Sequence, residues 1–346
     1  MTGTKFHVAF TRDFLDEAGE LGYGDLGLGL LDESPLVEYR YLDAYAATVT
    51  PEQIAEVDGL AVIYPHVAPH TFASGAARLT LIARCGAGYE RIHLAACTQA
   101  DVALVNAPQA VRLPTASGAL LLMLALTKRL MELDRVVREG RWDRRGEVQG
   151  VELRGHTLGI VGLGSAGGEL ARLVAPFEMR LLAYSPHAES DQARRLNVAL
   201  VSLETLLRES DIVSLHCRLT EETRGLIGAR ELALMKPTAY LINMARGPVV
   251  DHAALVAALA ERRIAGAGLD VFDQEPLPPD DPIAQLDNVI LSPHWLAGTR
   301  DVFRDASTAI CRAMLQAARG ELPDNIVNRE VIDRPGFQAK LCRFTR

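Results

Sequence analysis

The feature of this sequence that most restricts its fold is a regular alternation of short apolar runs with helix-forming segments. The runs KFHVAFT, GLAVIYP, TLIARC and DVALVNAP have the length and composition of buried β-strands. Between them, segments such as TPEQIAEV and ERIHLAACTQA are predicted to be helices. Strands that alternate with helices form βαβ units, which place the strands side by side in a parallel sheet. The sequence therefore predicts an α/β fold.

The alternation stops once and then begins again. A helical stretch from Thr115 to about Glu139 contains no strand, after which the apolar runs HTLGIVG, RLLAY, DIVSLH, AYLIN, AGLD and NVIL follow. The first strand of this second series is predicted at Leu158 to Gly162. Beyond Thr299 the chain is again helical and ends in a polar tail. With 346 residues the chain is long enough for two α/β domains, which we expect to be separated by a cleft.

Composition excludes several classes of protein. The chain is 49% hydrophobic and has a net charge of −8 without any basic block, so neither disorder nor a nucleic-acid partner is expected. Its five cysteines are scattered, which indicates a reducing compartment and no metal site. The N-terminus has no secretory pattern, and the longest apolar run, residues 119–126, is far shorter than the ~20 residues of a membrane span. We expect a soluble, cytoplasmic protein with no membrane partner.

The second series opens with a glycine-rich loop, GLGSAGG. Gly162, Gly164 and Gly167 form a G-x-G-x-x-G pattern around Ser165 and Ala166, between a predicted strand and a predicted helix. Glycines permit a tight turn and a close approach of the backbone to a pyrophosphate, and the helix N-terminus supplies free N–H groups. This setting predicts a dinucleotide site. A tight turn without a ligand and an S-adenosylmethionine site are the alternatives.

Ionisable residues follow three of the later strands. Arg246 follows LIN, Asp270 ends AGLD with Glu275 on the next loop, and His294 follows VIL. An Arg can hold a carboxylate in a bidentate pair, a His can exchange a proton near neutral pH, and a carboxylate can orient that His. Together they suit the reduction of a 2-oxo acid by a nicotinamide, without a metal. Singly, each could instead be a helix cap, a solvated loop residue or a structural histidine.

Several long motifs, in this order, resemble the D-isomer-specific 2-hydroxyacid dehydrogenase family. They are ARCGAGYERIHL, LGIVGLGSAGGELA, LTEETRGLIGARELALMKPTAYLINMARGPVVD, AGAGLDVFDQEPLP and NVILSPHWLAGT, and the resemblance extends from about Leu60 to Asn328. It implies that Arg246 binds the substrate carboxylate, that His294 is the acid–base and that Glu275 supports His294. It also implies that Asp270 lies near the nicotinamide carboxamide.

The resemblance further implies an architecture of two Rossmann-like or flavodoxin-like domains. Residues 1–109 and 299–346 would form the substrate domain, and residues 110–298 would form a coenzyme domain inserted into it. The loop of Gly86, Ala87 and Gly88 would offer backbone N–H groups to the substrate, and His66 would lie on the facing wall. Similar proteins are homodimers through the coenzyme domain, and the segment GALLLMLALTKRL is the expected core of that contact.

Two departures from the family pattern concern the cofactor. The acidic residue that holds the ribose in NAD-specific relatives is replaced by Ser185, and Arg218 stands where the family usually has proline. Loss of the carboxylate removes the repulsion of a 2′-phosphate, and a guanidinium could bind that phosphate. The sequence therefore predicts NAD or NADP as the cofactor and acceptance of NADPH. The alternative is that Arg218 points to solvent and that Ser185 is a neutral replacement.

The sequence defines the reaction more closely than it defines the substrate. A glyoxylate or hydroxypyruvate reductase and a phosphoglycerate dehydrogenase both fit, because the segment NIVNREVIDRPGF resembles the second branch. A function of another class is a cofactor-sensing protein like the C-terminal-binding corepressors of the same family. Turnover with a panel of 2-oxo acids distinguishes an enzyme from such a binding protein.

Overall fold

The computed structural model describes residues 5–345 of the chain. These residues divide into two compact units. Unit 1 contains the residues up to Val111 together with those from Thr299 onward, and unit 2 contains Arg112–Gly298. Each unit has a parallel sheet of its own, as the alternation of strands and helices predicts.

Within residues 5–345 there are twelve strands and twelve α-helices. The strands are β1 Phe6–Phe10, β2 Val37–Tyr41, β3 Gly59–Val62, β4 Leu81–Arg84, β5 Ala103–Asn106, β6 Thr157–Val161, β7 Arg180–Tyr184, β8 Ala199–Leu200, β9 Ile212–Leu215, β10 Tyr240–Asn243, β11 Gly266–Leu269 and β12 Val289–Leu291. The helices are α1 Gly29–Asp32, α2 Pro51–Ile54, α3 Leu94–Gln99, α4 Arg112–Thr127, α5 Leu130–Arg138, α6 Ser165–Leu173, α7 Ser190–Arg195, α8 Leu203–Glu209, α9 Ala229–Leu234, α10 His252–Ala260, α11 Arg300–Ala318 and α12 Pro335–Cys342. Among these described helices, none is long and apolar enough to cross a membrane.

The sheet of unit 1 has the strand order β2-β1-β3-β4-β5, and all of its pairs are parallel. This is the flavodoxin-like order. Every residue of β3 is buried, because both faces of a parallel sheet are covered by other elements. One cover is α11, whose side chains Val302, Ala306, Ile310 and Met314 are buried at the four-residue spacing of a helix face.

The C-terminal segment of unit 1 differs from the polar tail that the sequence suggests. It contains α12, in which Phe337 is fully buried, and Phe344 lies edge-on to Phe6 with ring centroids 4.9 Å apart. The Arg343 guanidinium also donates a hydrogen bond to the buried carboxylate of Asp58. Widely spaced apolar residues among many charges concealed this role, since a short helix needs only one buried face.

The sheet of unit 2 has the strand order β12-β11-β10-β9-β6-β7-β8. Counted from β6, the first six strands of the unit lie in the Rossmann order, and β12 extends the sheet beyond them. The chain leaves β6 toward β7 on one side and later returns to β9 on the other. In such sheets the ligand lies beyond the carboxyl end of the strand at which this reversal occurs. This rule points to the loop that follows Val161.

The helical stretch that was expected from Thr115 to about Glu139 is two helices. Helix α4 ends at Thr127 and α5 begins at Leu130. Between them Arg129 has φ +52°, a left-handed conformation that a helix cannot contain. The stretch is helical and contains no strand, as predicted, but the local sequence, which lacks glycine and proline there, does not indicate the break between the two helices.

Candidate active site

The glycine loop of unit 2 combines two closely packed glycines with one that faces open space. Gly162 has φ +95°, and a Cβ there would lie 2.6 Å from the backbone nitrogen of Cys217. A Cβ on Gly167 would lie well inside 3.0 Å of the carbonyl oxygen of Gly162. A Cβ on Gly164, in contrast, would have no described atom within 4 Å. The backbone at Gly164 is therefore open to the approach of a ligand.

Helix α6 begins directly after this opening. Gly164 is its N-cap and has no side chain that could accept from the first turn. The N–H groups of Ser165, Ala166 and Gly167 thus lie at a helix N-terminus, where the helix dipole favours negative charge. These features fit the pyrophosphate of a dinucleotide, which needs N–H donors and a close backbone approach.

The two residues that the sequence predicts to influence cofactor choice follow the strands on either side of β6. Ser185 comes directly after β7, and its carbonyl oxygen accepts a hydrogen bond from Ala188 at 3.0 Å. Arg218 follows β9, and its carbonyl oxygen accepts from Thr223 Oγ1 at 2.6 Å. Because the carboxyl ends of parallel strands meet at one edge of the sheet, both residues belong to the edge that carries the glycine loop.

The sequence patterns do not single out His216 as a site residue, although it stands two residues before Arg218. Its backbone N–H donates to Val161 at 2.8 Å, and its Nε2 lies 2.9 Å from Ser214 Oγ. Its Nδ1 is buried and has no hydrogen-bond partner among the described residues. Burial lowers the pKa of this histidine to about 4, so the ring is neutral at physiological pH. The sequence signal that could have indicated its position at the edge of the sheet is the apolar strand directly before it.

The predicted acid–base residues form a pair. His294 Nδ1 lies 2.9 Å from Glu275 Oε2, and Glu275 Oε1 accepts the backbone N–H of Phe272 at 3.1 Å. Partial burial acts to raise the pKa of Glu275, but the hydrogen bonds from His294 and Phe272, with the charges of His294 and Arg246, outweigh it and lower the pKa. Glu275 is therefore ionised and accepts the Nδ1–H, which leaves Nε2 of the 44% exposed His294 side chain to exchange a proton.

Arg246 belongs to the same group of charges. It lies beyond β10 with an extended backbone and precedes a 3₁₀ turn at Gly247–Val249. Its carbonyl oxygen accepts from Asn243 Nδ2 at 3.0 Å, and its Nη1 donates to the Ala245 carbonyl at 2.6 Å. The effect of its charge on Glu275 shows that the structure brings together the three residues predicted at successive strand ends.

Asp270, at the end of β11, is 3% exposed and accepts three hydrogen bonds on one oxygen. Its Oδ1 lies 2.5 Å from Ser292 Oγ, 2.9 Å from the Trp295 nitrogen and 3.2 Å from the Leu296 nitrogen. These donors stand on both sides of His294, which itself has φ +55°. Sequence reasoning placed Asp270 at the cofactor but missed its contacts with this loop.

The remaining predicted residues lie in unit 1. Gly86 has φ +137°, a conformation that favours glycine, and its carbonyl oxygen accepts from Ala107 at 2.9 Å. The Ala87 carbonyl oxygen accepts from Asn106 Nδ2 at 2.7 Å, and Gly88 follows in the same loop. His66 is exposed, and its backbone N–H donates to Ala47 at 2.8 Å. The loop after β4 is therefore held by hydrogen bonds from the last residue of β5 and from the residue that follows it.

A Rossmann-ordered sheet with an open glycine loop, and an ionised Glu–His pair with an Arg nearby, define a dinucleotide-dependent dehydrogenase. Residues 120–295 match the sequence model of the D-isomer specific 2-hydroxyacid dehydrogenase family, NAD binding domain. The chain belongs to this family. The resemblance inferred from the motifs is thereby confirmed.

Individual proteins of the family are similar over most of the chain. A glyoxylate reductase of Korarchaeum cryptofilum is 39% identical over 316 residues, which are 88% of this chain and 95% of that protein. A D-3-phosphoglycerate dehydrogenase of Archaeoglobus fulgidus is 39% identical over 263 residues, 76% of this chain but 50% of that protein. The structure of a D-lactate dehydrogenase from Aquifex aeolicus, complexed with NAD and lactic acid, superimposes with a TM-score of 0.79 at 26% identity and covers 93% of this chain and 99% of that one.

These similarities confirm the predicted fold class and the predicted reaction class. The protein is an NAD-dependent oxidoreductase that interconverts 2-oxo acids and D-2-hydroxy acids. The described residues also contain no group of three or more His, Cys, Asp or Glu side chains arranged to hold a metal ion.

Proposed function

We propose that this enzyme reduces a small 2-oxo acid, of the glyoxylate or hydroxypyruvate kind, with His294 as the proton donor. The observation that carries the proposal is the pairing of His294 with an ionised Glu275 in the electrostatic range of Arg246. A His whose second nitrogen is held by a carboxylate is oriented for proton transfer, and a nearby guanidinium supplies the charge that a carboxylate substrate requires.

Each residue then has a distinct part in the reaction. The Arg246 guanidinium binds the substrate carboxylate and so fixes the orientation of the adjacent carbonyl. When bound, the nicotinamide supplies the hydride. His294 Nε2 donates the proton to the carbonyl oxygen, and Glu275 stabilises the imidazolium form of His294 before this transfer. In the reverse direction His294 takes the proton from the hydroxyl group.

The residues of unit 1 are proposed to bind the substrate. Backbone N–H groups at Gly86, Ala87 and Gly88 suit a carboxylate, because a glycine-rich loop lets the backbone approach a ligand closely. His66 offers an exposed polar side chain. In the coenzyme site we assign Gly162, Gly164, Ser165, Ala166 and Gly167 to the pyrophosphate, and Asp270 to the nicotinamide carboxamide. In domain terms, unit 1 is the substrate domain and unit 2 the coenzyme domain.

A small substrate is favoured over a phosphorylated one by the extent of the similarities. The glyoxylate reductase matches over nearly its whole length, whereas the phosphoglycerate dehydrogenase is matched over half of its length. The test is oxidation of NADH and NADPH with glyoxylate, hydroxypyruvate, pyruvate, phenylpyruvate and 2-oxoglutarate. A preference for phosphohydroxypyruvate, added to the same panel, would contradict the proposal, as would the absence of turnover with every acid.

The role of His294 is tested by substitution. His294→Ala should lower kcat about 10²–10⁴-fold, the usual contribution of a general acid. The matched control is His156→Ala, since His156 lies directly before β6 at the opposite edge of the sheet. His294→Ala with wild-type kcat would refute the assignment.

We also propose that the enzyme accepts NADPH. Ser185 has no charge to repel a 2′-phosphate, and Arg218 stands beyond β9, on the other side of β6, with a guanidinium that suits a phosphate. Ser185→Asp should shift the kcat/KM ratio toward NADH, and Arg218→Pro should weaken NADPH more than NADH. A wild-type kcat/KM for NADH that exceeds that for NADPH by a hundredfold, about 2.7 kcal/mol, would exclude the proposal.

A cytoplasmic homodimer formed through unit 2 is the assembly that we propose. Large apolar side chains are about half exposed along α4 and α5, and several such side chains on two successive helices favour this part of unit 2 as the interface. They are Leu113, Leu121, Leu130, Met131 and Val137. Light scattering after gel filtration should give twice the mass of the chain, and Leu121→Glu should lower it. A wild-type mass of one chain at micromolar concentration would disprove the dimer.

A further inference from the structure

We infer that Ser292 is a positioning residue for the acid–base step, because with Asp270 it holds the backbone turn that presents His294. The inference rests on the proposed role of His294 and extends it to a residue with no part in proton transfer. It comes from the hydrogen bonds around the turn after β12, all of which lie within unit 2.

Ser292 is the point at which the turn leaves the sheet. Its backbone N–H donates to Leu269 at 2.9 Å, which continues the pairing of β12 with β11 by one residue. Its hydroxyl donates to Asp270 Oδ1 at 2.5 Å, so the side chain ties the same position to the end of β11 a second time. Two residues later, the His294 N–H donates to the Ser292 carbonyl at 3.0 Å.

The conformation of His294 makes this support necessary. A φ of +55° is energetically unfavourable for a residue with a side chain. Such a backbone conformation persists only where the surrounding structure enforces it. Asp270 Oδ1 receives one donor before His294, from Ser292, and two after it, from Trp295 and Leu296. The turn is thus fixed on both sides of the histidine.

The serine hydroxyl is the one side-chain donor to Asp270 Oδ1 among those given by the described residues. The other two donors are backbone N–H groups, which any residue except proline would supply at positions 295 and 296. Pro293, the residue between Ser292 and His294, has a fixed φ and favours an extended backbone at Ser292. Without the hydroxyl, Oδ1 of this almost fully buried carboxylate keeps, among the donors that the described residues give it, the two that follow His294, and the entry to the turn is released.

The turn matters for the reaction because it sets the orientation of the His294 imidazole. The pair of His294 and Glu275 spans 2.9 Å and is partly exposed, so it does not hold the loop by burial. A looser turn lets the ring leave the line between Glu275 and the substrate carbonyl. Catalytic geometry of this kind is sensitive to displacements of about 1 Å.

The experiment compares Ser292→Ala with Ser292→Thr, which keeps the hydroxyl. Ser292→Ala should lower kcat for oxo-acid reduction about tenfold, with the KM of the cofactor within twofold of the wild type. Ser292→Thr should restore kcat to within threefold of the wild type.

Ser202→Ala is the matched control. Ser202 caps α8 by accepting from Thr205 at 3.1 Å, so this change should lower the thermal midpoint slightly without altering kcat. A Ser292→Ala enzyme with the wild-type kcat would overturn the inference. A Ser292→Thr enzyme as impaired as Ser292→Ala would also overturn it, because volume rather than the hydroxyl would then decide. His294→Ala separates the two proposals: if it is inactive while Ser292→Ala is normal, only this inference fails, and if it is fully active, the assignment of His294 itself fails.

Discussion

Exchanging single glycines of the cofactor loop for alanine should separate folding from cofactor binding. Gly164 and Gly167 are three residues apart, and each would gain one methyl group. At Gly164 that methyl group would enter space in which no described atom lies within 4 Å. At Gly167 it would enter space already filled by the carbonyl oxygen of Gly162. The same chemical change therefore acts on different properties of the protein.

The magnitudes follow from these surroundings. Gly167→Ala requires a shift of roughly 1 Å in packed backbone, and overpacking of this kind costs about 1–3 kcal/mol of the free energy of unfolding. Gly164→Ala should leave stability unchanged or raise it by about 0.4–1 kcal/mol, because alanine restricts the unfolded chain. Its methyl group would instead hold the pyrophosphate away from the N–H groups of α6, which should weaken cofactor binding about 10–100-fold, or about 1.4–2.7 kcal/mol.

Two measurements on each variant separate the effect on stability from the effect on cofactor affinity. Thermal unfolding without cofactor should show a lower midpoint for Gly167→Ala and no decrease for Gly164→Ala. Calorimetric titration with NADH and with NADPH should show the loss of affinity in Gly164→Ala. If Gly164→Ala binds both cofactors within threefold of the wild type, the open space beside Gly164 is not where the pyrophosphate approaches. A Gly167→Ala protein as stable as the wild type would refute the packing argument.

Two further predictions concern charge. Arg246→Ala should raise the KM for the oxo acid at least about tenfold while the KM for the cofactor stays within about threefold, as steady-state kinetics would show, since its guanidinium is assigned to the substrate carboxylate alone. The pKa of His216, lowered from 6.5 to about 4, means that the unfolded chain binds a proton before the folded protein does as the pH falls. The stability that neutral His216 contributes is therefore present above about pH 6.5 and is lost as the pH falls toward 4. Chemical denaturation near pH 7 and near pH 4.5 gives the free energy of unfolding that each protein loses on acidification. This loss should be smaller in His216→Asn than in the wild type, by up to about 2 kcal/mol. Equal acid sensitivity of the two proteins would contradict this reasoning.

In unit 2 the sequence predicts where the candidate site residues lie, because each follows a recognisable strand. Arg246, Asp270 and His294 stand just after runs of apolar residues, and the carboxyl ends of parallel strands meet at one edge. Residue types with clear chemistry, at positions that the fold brings together, are visible without coordinates. The order of the strands is not, because pairing between β6 and β9 depends on contacts far apart in the sequence.

The features that escaped prediction depend on tertiary contacts. Ser292 is an ordinary serine until the structure places its hydroxyl on Asp270, and the left-handed Arg129 has no sequence signal of its own. Phe337 is one aromatic residue in a polar segment, and its complete burial follows from packing within the core of unit 1 rather than from any periodicity. Such positions are decided by partners elsewhere in the chain, which local patterns do not contain.

The division of unit 1 into two pieces of chain determines the order in which the protein takes shape on the ribosome. All five strands of its sheet are synthesised before Val111, but the core around Phe6 and Phe10 also includes Met314 and Phe337, which are made near the end. One side of the core of the nascent sheet therefore remains uncovered while unit 2, a continuous segment, emerges and folds. Domains fold as units once their residues are available. The first strands to leave the ribosome are thus enclosed only after α11 and α12 have been made, because those two helices complete the core that β1 begins.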